Sequence, residues 1–331
     1  MRVFLTGGTG LVGSHAIERL VAAGHEVIAL VRDRTGADLV TALGAKPLFG
    51  SVEYESSWQA AQGSAVIVHT AALITQRQPW TSFEAVNIEG TRYATLAAVR
   101  CEAKLVYVSS IAVYGRRPPP LPNSMDESAP WTGLAETDFY ARSKRQAEEV
   151  VWNIAGETGL SAVALRPCVV YGERDRVFLP RLIRALRFGV APLIGDGDNT
   201  LTVIYAGNVA AAVQAAVERP DATGGFNVTN DGNMTQREFL LAVGHAMGPR
   251  LRLFKIPVSA ANALATSYHH IRRLTRPKCY AGVALGAARF MAADNPFRSD
   301  RARDLLGWQP STSPTENVER SVKWHIDLTD A

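Results

Sequence analysis

The octapeptide Thr6-Gly7-Gly8-Thr9-Gly10-Leu11-Val12-Gly13 follows the apolar run Val3 to Thr6 and leads straight into a helix-length segment, Leu11 to Ala23. A glycine turn placed between a strand and a helix lets the backbone reverse tightly and approach another group closely. The first turn of such a helix offers unpaired amides and partial positive charge, an arrangement suited to an anion such as pyrophosphate. Gly7 is expected to make the turn, Gly10 the close approach, and Gly13 the tight packing of helix on strand.

The pattern continues as an alternation. Val3 to Thr6, Glu26 to Val31, Pro47 to Phe49, Ala65 to Thr70, Leu105 to Ser109 and Ala162 to Leu165 read as strands. Leu11 to Ala23, Ala37 to Leu43, a short piece at Ser57 to Ala61, Ser82 to Cys101 and Tyr140 to Thr158 read as helices between them. Strands separated by helix-length segments pair in parallel, with the helices as crossovers, so the fold class is α/β with a doubly wound parallel sheet. Residues 1–166 are expected to form the dinucleotide-binding domain. Residues 167–331, where the alternation loosens, form a smaller α/β substrate lobe with segments returning to the main sheet. The segment Arg116 to Trp131, with Pro118, Pro119, Pro120, Pro122 and Pro130, is expected as an irregular surface loop.

Composition removes several classes of function. Hydrophobic residues at 47% and charged residues at 20% belong to a chain that collapses around a core. The formal net charge of +4 is small for 331 residues, so nucleic acid is not an expected partner. The most basic stretch, Arg250 to Arg303, reads as a solvated face, with an acidic ligand or a membrane surface as the alternative. Cys101, Cys168 and Cys279 are widely spaced, without a CxxC or a Cys/His pattern for a metal, which fits a reducing, cytoplasmic setting. No signal peptide and no integral membrane span are expected. The apolar segment Tyr280 to Ala293 is the strongest candidate for peripheral attachment and reads as a buried helix.

Tyr140 and Lys144 stand four residues apart, on one face of the expected helix. A phenol with a pKa near 10 is a poor proton donor unless its ionised form is stabilised, and a lysine ammonium supplies that stabilisation. Ser109 and Ser110 place hydroxyls at the end of the expected strand Leu105 to Ser109. A glycine turn for a dinucleotide together with a hydroxyl, a phenol and an ammonium points to hydride transfer with proton exchange.

In this order the motifs resemble the extended short-chain dehydrogenases/reductases, the NAD-dependent epimerase/dehydratase superfamily, over nearly the whole chain. The glycines fall at the first, fourth and seventh positions of their motif. His69-Thr70-Ala71-Ala72 resembles the HxAA element, Val86 to Thr91 the VNxxGT helix, Ser109 to Gly115 the SSxxVYG element, and Arg166 to Gly172 the RPxxVYG element. The resemblance implies a Rossmann sheet and catalysis by Ser110, Tyr140 and Lys144. Gly7, Thr9, Gly10, Leu11, Val12, Gly13, Arg32, Val52, Ala71, Ala72, Ser109, Tyr140, Lys144, Pro167 and Val169 would hold the cofactor. Leu73, Tyr114, Val170 and Tyr171 would line the substrate site, with Tyr114 as a wall. Asn87 and Thr91 would support the active site, and Cys168 would be a packing residue without a histidine partner. The ribose-binding acid of the second strand is replaced by Val31, and Arg32 follows it. A guanidinium there can grip a 2′-phosphate, which favours NADP, while Asp33 keeps NAD open. Ser51 departs from the family's aspartate, leaving the adenine contact to backbone and Val52. No metal is expected, and pairing into a homodimer through the helix of Tyr140 is implied by the resemblance alone.

Two substrate classes compete within this family: nucleotide sugars, and apolar ketones or alcohols of sterol, flavonoid or β-keto-acid type. Gly195 to Leu201 resembles the GDGxxxR element but carries Leu201 where the arginine for a diphosphate belongs. The resemblance therefore runs toward the 3β-hydroxysteroid dehydrogenase and dihydroflavonol reductase branch, and a small apolar molecule with a secondary alcohol or ketone is the expected substrate. A sugar-nucleotide epimerase or dehydratase and a non-catalytic cofactor sensor or scaffold are the alternatives. Tyr268, His269 and His270 read as partly exposed aromatic packing.

Overall fold

Val3, Phe4 and Leu5 are each 0% exposed, so the first strand is covered on both faces, as a central parallel strand must be. The computed structural model describes residues 1–75, 78–115, 125–229, 232–248, 251–275, 290–310 and 312–330. Its strands are β1 (Arg2–Thr6), β2 (Glu26–Val31), β3 (Lys46–Phe49), β4 (Val66–His69), β5 (Lys104–Val108), β6 (Ala162–Pro167), β7 (Val169–Tyr171), β8 (Val190–Ile194), β9 (Val203–Tyr205), β10 (Gly224–Val228) and β11 (Arg252–Ile256). Seven of them form one parallel sheet in the order β10-β6-β5-β4-β1-β2-β3. The chain starts in the middle, runs outward through β2 and β3, and then crosses back to β4. This is the doubly wound arrangement expected from the sequence, with its switch point between β1 and β4.

The helices before β6 are α1 (Leu11–Ala22), α2 (Arg34–Ala42), α3 (Trp80–Phe83), α4 (Gly90–Arg100) and α5 (Phe139–Thr158), with a short 3₁₀ turn at Glu55–Ala61. The single helix expected from Ser82 to Cys101 is instead α3, a π-helical stretch at Glu84–Glu89, and α4. Local bonding accounts for the interruption. The Thr91 hydroxyl donates back to the Asn87 carbonyl at 2.6 Å, and the Asn87 side chain is drawn to the backbone of Leu73, donating to its oxygen at 3.0 Å and accepting from its nitrogen at 2.7 Å.

The chain divides into two compact units. The first comprises residues 1–170, 206–229 and 297–311 and contains the seven-stranded sheet. The helix Ala206–Glu218 packs along α1, where Arg19 donates to Gln214 at 3.0 Å. The helix Asp300–Leu306 lies beside β10, and the Trp308 indole donates to the Asn208 carbonyl at 2.9 Å. The second unit comprises residues 171–205, 230–296 and 312–331. In it β8 and β11 pair in parallel, and the helix Gln236–Ala246, closed at its start by the reciprocal Thr235–Glu238 capping box, packs on the helix Pro314–Asp330.

Most of the proline-rich loop, at residues 116–124, and most of Tyr280 to Ala293 lie outside the described residues, as do Cys279 and the side chains of His269 and His270. Of the basic stretch, Arg298 and Arg303 pair with Asp300, and Arg303 also with Asp304, which neutralises that part locally. No described helix is long and apolar enough to cross a membrane.

Candidate active site

Gly7 has φ +76°, a conformation that glycine adopts without strain. The turn it makes is crowded from beneath. A Cβ on Gly7 would stand 2.6 Å from the Ala71 nitrogen, and one on Gly13 would stand 2.1 Å from the Gly7 oxygen. Thr70 and Ala71, which follow β4, therefore lie directly under the glycine turn, Ala72 comes next in the chain, and no bulkier packing of α1 on the sheet is open. Above the turn the arrangement is different. Gly10 is exposed and caps α1 without a side-chain hydrogen bond, so the amides of the first turn have no protein acceptor from a cap. A turn that excludes side chains below and leaves helix amides open above fits a pyrophosphate. Thr9, Leu11 and Val12 border it and are partly exposed.

At the end of β2, Val31 is buried and Arg32 is exposed. Asp33 is the N-cap of α2, where its carboxylate accepts from the Gly36 amide at 2.7 Å. Ser51 donates to Glu53 at 3.0 Å, and Val52 is partly exposed beside Gly90.

Ser110, Tyr140 and Lys144, the trio expected to be catalytic, come together where α5 crosses the carboxyl end of β5. Ser110 is 8% exposed and shares a hydrogen bond with the Tyr140 hydroxyl. Burial raises the Tyr140 phenol above its ordinary value, and the bond from Ser110 opposes that rise. Lys144 is 2% exposed; its Nζ donates to the Val108 carbonyl at 2.6 Å and stands 4.5 Å from the centre of the Tyr107 ring. Burial lowers the Lys144 ammonium to about 7, with Glu148 pulling it upward. The protein's own groups thus leave the phenol less acidic than the expectation from residue types alone, because desolvation outweighs the bond from Ser110.

A shell of polar groups surrounds the trio. Asn87 donates to Ser143 at 2.9 Å, and Ser143 donates to the Tyr140 carbonyl at 2.9 Å, so the π-helical stretch is tied to the start of α5. His69 is 0% exposed, bonded to Thr6 at 2.7 Å and to Thr91 at 3.2 Å. Burial, and next the charge of Lys144, lower it to about 3, so it is a neutral imidazole. Beyond Lys144 lies Glu148, 0% exposed, in a buried ion pair with Arg166 at 2.6 Å. Sequence reading passed over Glu148, although it continues the Tyr140 and Lys144 spacing by four more residues.

Four expected positions need comment. Tyr114 does not form a wall: it is 1% exposed, and its hydroxyl donates to Asn227 at 2.8 Å and accepts from Arg166 at 2.7 Å. Tyr171 has no accessible surface and packs against Tyr205 and Phe239. Both are core aromatics, because strand neighbours far along the sequence cover them. Leu73 and Val170 are partly exposed, while Cys168 is buried with its thiol toward the Thr229 carbonyl at 3.6 Å. Pro167 is buried at the end of β6, and Val169 is partly exposed at the start of β7. A cleft of about 530 Å³ opens at the opposite, amino-terminal edge of the sheet, around Met1, Lys104 and Leu160, and includes none of these residues.

The model of the NAD dependent epimerase/dehydratase family matches residues 3–230. A farnesyl-dihydroquinoline-oxide ketoreductase of Stigmatella aurantiaca is 32% identical over 313 residues, 93% of this chain and 92% of its own length. The 3beta-hydroxysteroid-dehydrogenase/decarboxylase isoform 2 of Arabidopsis thaliana is 26% identical over 98% of this chain and 62% of its own length. Among solved structures, a UDP-glucose 4-epimerase of Thermotoga maritima shares the fold with a TM-score of 0.75 at 19% identity, over 99% of this chain and 100% of that one. With the glycine turn, the doubly wound sheet and the Ser110, Tyr140 and Lys144 cluster in place, the chain belongs to the NAD dependent epimerase/dehydratase family and is an NAD(P)-dependent enzyme.

Proposed function

We propose that this protein interconverts a ketone and a secondary alcohol on a small apolar molecule of sterol-, flavonoid- or β-keto-acid type, with NADP preferred over NAD. The observation that carries the reading is the contact of Tyr140 with Ser110 one helical turn from Lys144. The bound nicotinamide supplies or accepts the hydride. In the reducing direction Tyr140 gives its hydroxyl proton to the oxygen of the former carbonyl, and in the oxidising direction it takes that proton back. Ser110 hydrogen-bonds the same oxygen and favours the geometry in which charge gathers there. Burial holds the phenol above its ordinary value, so the acidity it needs is assigned to positive charge: the Lys144 ammonium and the charged ring of the oxidised cofactor.

Gly7, Gly10 and Gly13, with the amides from Leu11 onward, would cradle the pyrophosphate. Thr9, Val52, Ala71, Ala72, Ser109, Pro167 and Val169 would border the cofactor, and Lys144 would hold a ribose hydroxyl. Arg32, exposed at the end of β2, would grip the 2′-phosphate. Asp33 already caps α2, which weakens its claim as a ribose ligand. Leu73 and Val170 remain as substrate contacts, while Tyr114 and Tyr171 do not.

The apolar class is favoured by Leu201, 2% exposed, where an arginine would be needed for a diphosphate. The names of the ketoreductase and hydroxysteroid relatives point the same way. Purified protein is tested with NADPH and NADH against a 3-ketosteroid, a flavanone and a 2-alkyl-3-oxo acid by nicotinamide absorbance, and with NAD and UDP-glucose by chromatography of the sugar products, because epimerisation returns its hydride and leaves the absorbance unchanged. Turnover of at least one of the first three is expected; conversion of UDP-glucose alone would replace this reading with the epimerase one. A cytoplasmic homodimer is the accompanying proposal, checked by light scattering.

A further inference from the structure

Three residues at four-residue intervals on α5 each grip one of three successive residues at the end of β5. Tyr140 meets the Ser110 hydroxyl, Lys144 meets the Val108 carbonyl, and Glu148 accepts from the Ser109 hydroxyl at 2.5 Å. The first two are the expected chemistry, and the third has none assigned to it. Glu148 also accepts from Trp152 at 3.1 Å and from Arg166 through Nε at 3.0 Å and Nη2 at 2.6 Å. Arg166 is the last residue before Pro167 at the end of β6, and its other nitrogen reaches Tyr114, which is bonded to Asn227 of β10. One carboxylate thus ties the ends of three neighbouring strands to the helix that carries Tyr140.

We propose that Glu148 is a positioning residue of the reaction: through Ser109 it fixes the peptide that presents Ser110, and through its charge it keeps Lys144 an ammonium. The inference rests on the Tyr140 and Lys144 chemistry of the preceding section. The surroundings of Lys144 explain why a distant carboxylate matters. From β5 it faces the ring of Tyr107, which burial keeps protonated; from β4 comes His69, neutral; from its own helix come Tyr140 and Glu148; behind Glu148 lies the Arg166 cation. Glu148 is the one anion in this set, and burial pulls the lysine toward neutrality. Replacing it with a neutral amide removes the attraction and also leaves Arg166 uncompensated, and both changes favour a neutral lysine.

The test is the pH profile of ketone reduction by the intact protein, with NADPH and a 3-ketosteroid, for wild type, Glu148→Gln and Glu148→Asp. The alkaline limb of kcat should move to lower pH by about one unit or more in Glu148→Gln, a tenfold loss of the charged lysine at a given pH. Glu148→Asp should recover part of that shift. A folded Glu148→Gln protein with the wild-type profile would overturn the proposal. Removing half of a buried ion pair can prevent folding. In that case Ser109→Ala, which leaves the pair and its charge beside Lys144 intact, should lower kcat about tenfold without moving the alkaline limb, and wild-type kcat in that variant would overturn it equally. Tyr140→Phe is run alongside. If it is inactive while the Glu148 variants behave as wild type, only the role of Glu148 fails; if it turns over, the underlying chemistry fails as well.

Discussion

Around Glu148 the polar side chains are closed on one another: Ser109, Trp152 and Arg166 donate to the carboxylate, and Tyr114 and Asn227 complete the chain of bonds below 10% exposure for every member but Trp152. At the mouth of the glycine turn, by contrast, Gly10 is exposed, α1 lacks a side-chain cap, and Arg32 is exposed at the end of β2 without an ion pair among the described residues. Both regions belong to the first unit. Under the proposed function the difference separates two tasks: groups that would hold the geometry of proton transfer are fixed within the folded chain, and groups that would meet a phosphate stand exposed at its surface.

The widest expected contrast comes from Tyr140→Phe, which should lower turnover by roughly 10²–10⁴-fold, the range of a lost general acid, with cofactor affinity nearly unchanged by fluorescence titration. Equal loss of both would erase the distinction between the closed and open regions. Arg32→Ala should weaken NADPH by roughly 1.5–3 kcal/mol, the scale of a charge-assisted contact, and hardly affect NADH. Equal weakening of the two cofactors would remove Arg32 from the 2′-phosphate.

Acid should probe the closed region through His69. The folded imidazole protonates only near 3, against 6.5 when unfolded, so the unfolded chain binds the extra proton first and stability is lost as pH falls from 6.5 toward 3. At pH 5 that loss is roughly 2 kcal/mol from this group, and His69→Gln should flatten the dependence of the urea midpoint between pH 7 and 5. Gly13→Ala forces a Cβ against the Gly7 carbonyl and should cost about 1–3 kcal/mol in thermal unfolding as well as cofactor affinity. Smallest of all, Asp33→Ala removes the cap of α2 at about 1 kcal/mol, without altering the preference between NADPH and NADH. A shift toward NADPH in that variant would restore Asp33 as a ribose ligand.

Six strands of the seven-stranded central sheet were readable from the chain because their signals are local, whereas β10 lies in the stretch where the alternation loosens. A glycine turn, alternating strands and a Tyr140 to Lys144 spacing need only neighbouring residues, and helix and strand limits fall within a few positions of those observed. Tyr114 shows where local reading stops. Its motif says aromatic, but its burial depends on Asn227 of β10, 113 residues onward, and on Arg166 from β6. Glu148 was hidden for the same reason: its partners come from β5 and β6, although its place on the face of α5 was visible. The π-helical stretch escaped because its cause, Asn87 reaching Leu73, lies across a turn that periodicity does not register.

That stretch carries a consequence for how the chain can vary in length. A π-helical turn amounts to an extra residue accommodated within an ordinary helix, and losing one residue there lets the flanking turns rejoin in their original rotational phase. Residues 84–89 are therefore a place where a single-codon deletion should leave a protein that still folds. What such a shortened chain would forfeit is the reach of Asn87 across to Ser143 at the start of α5.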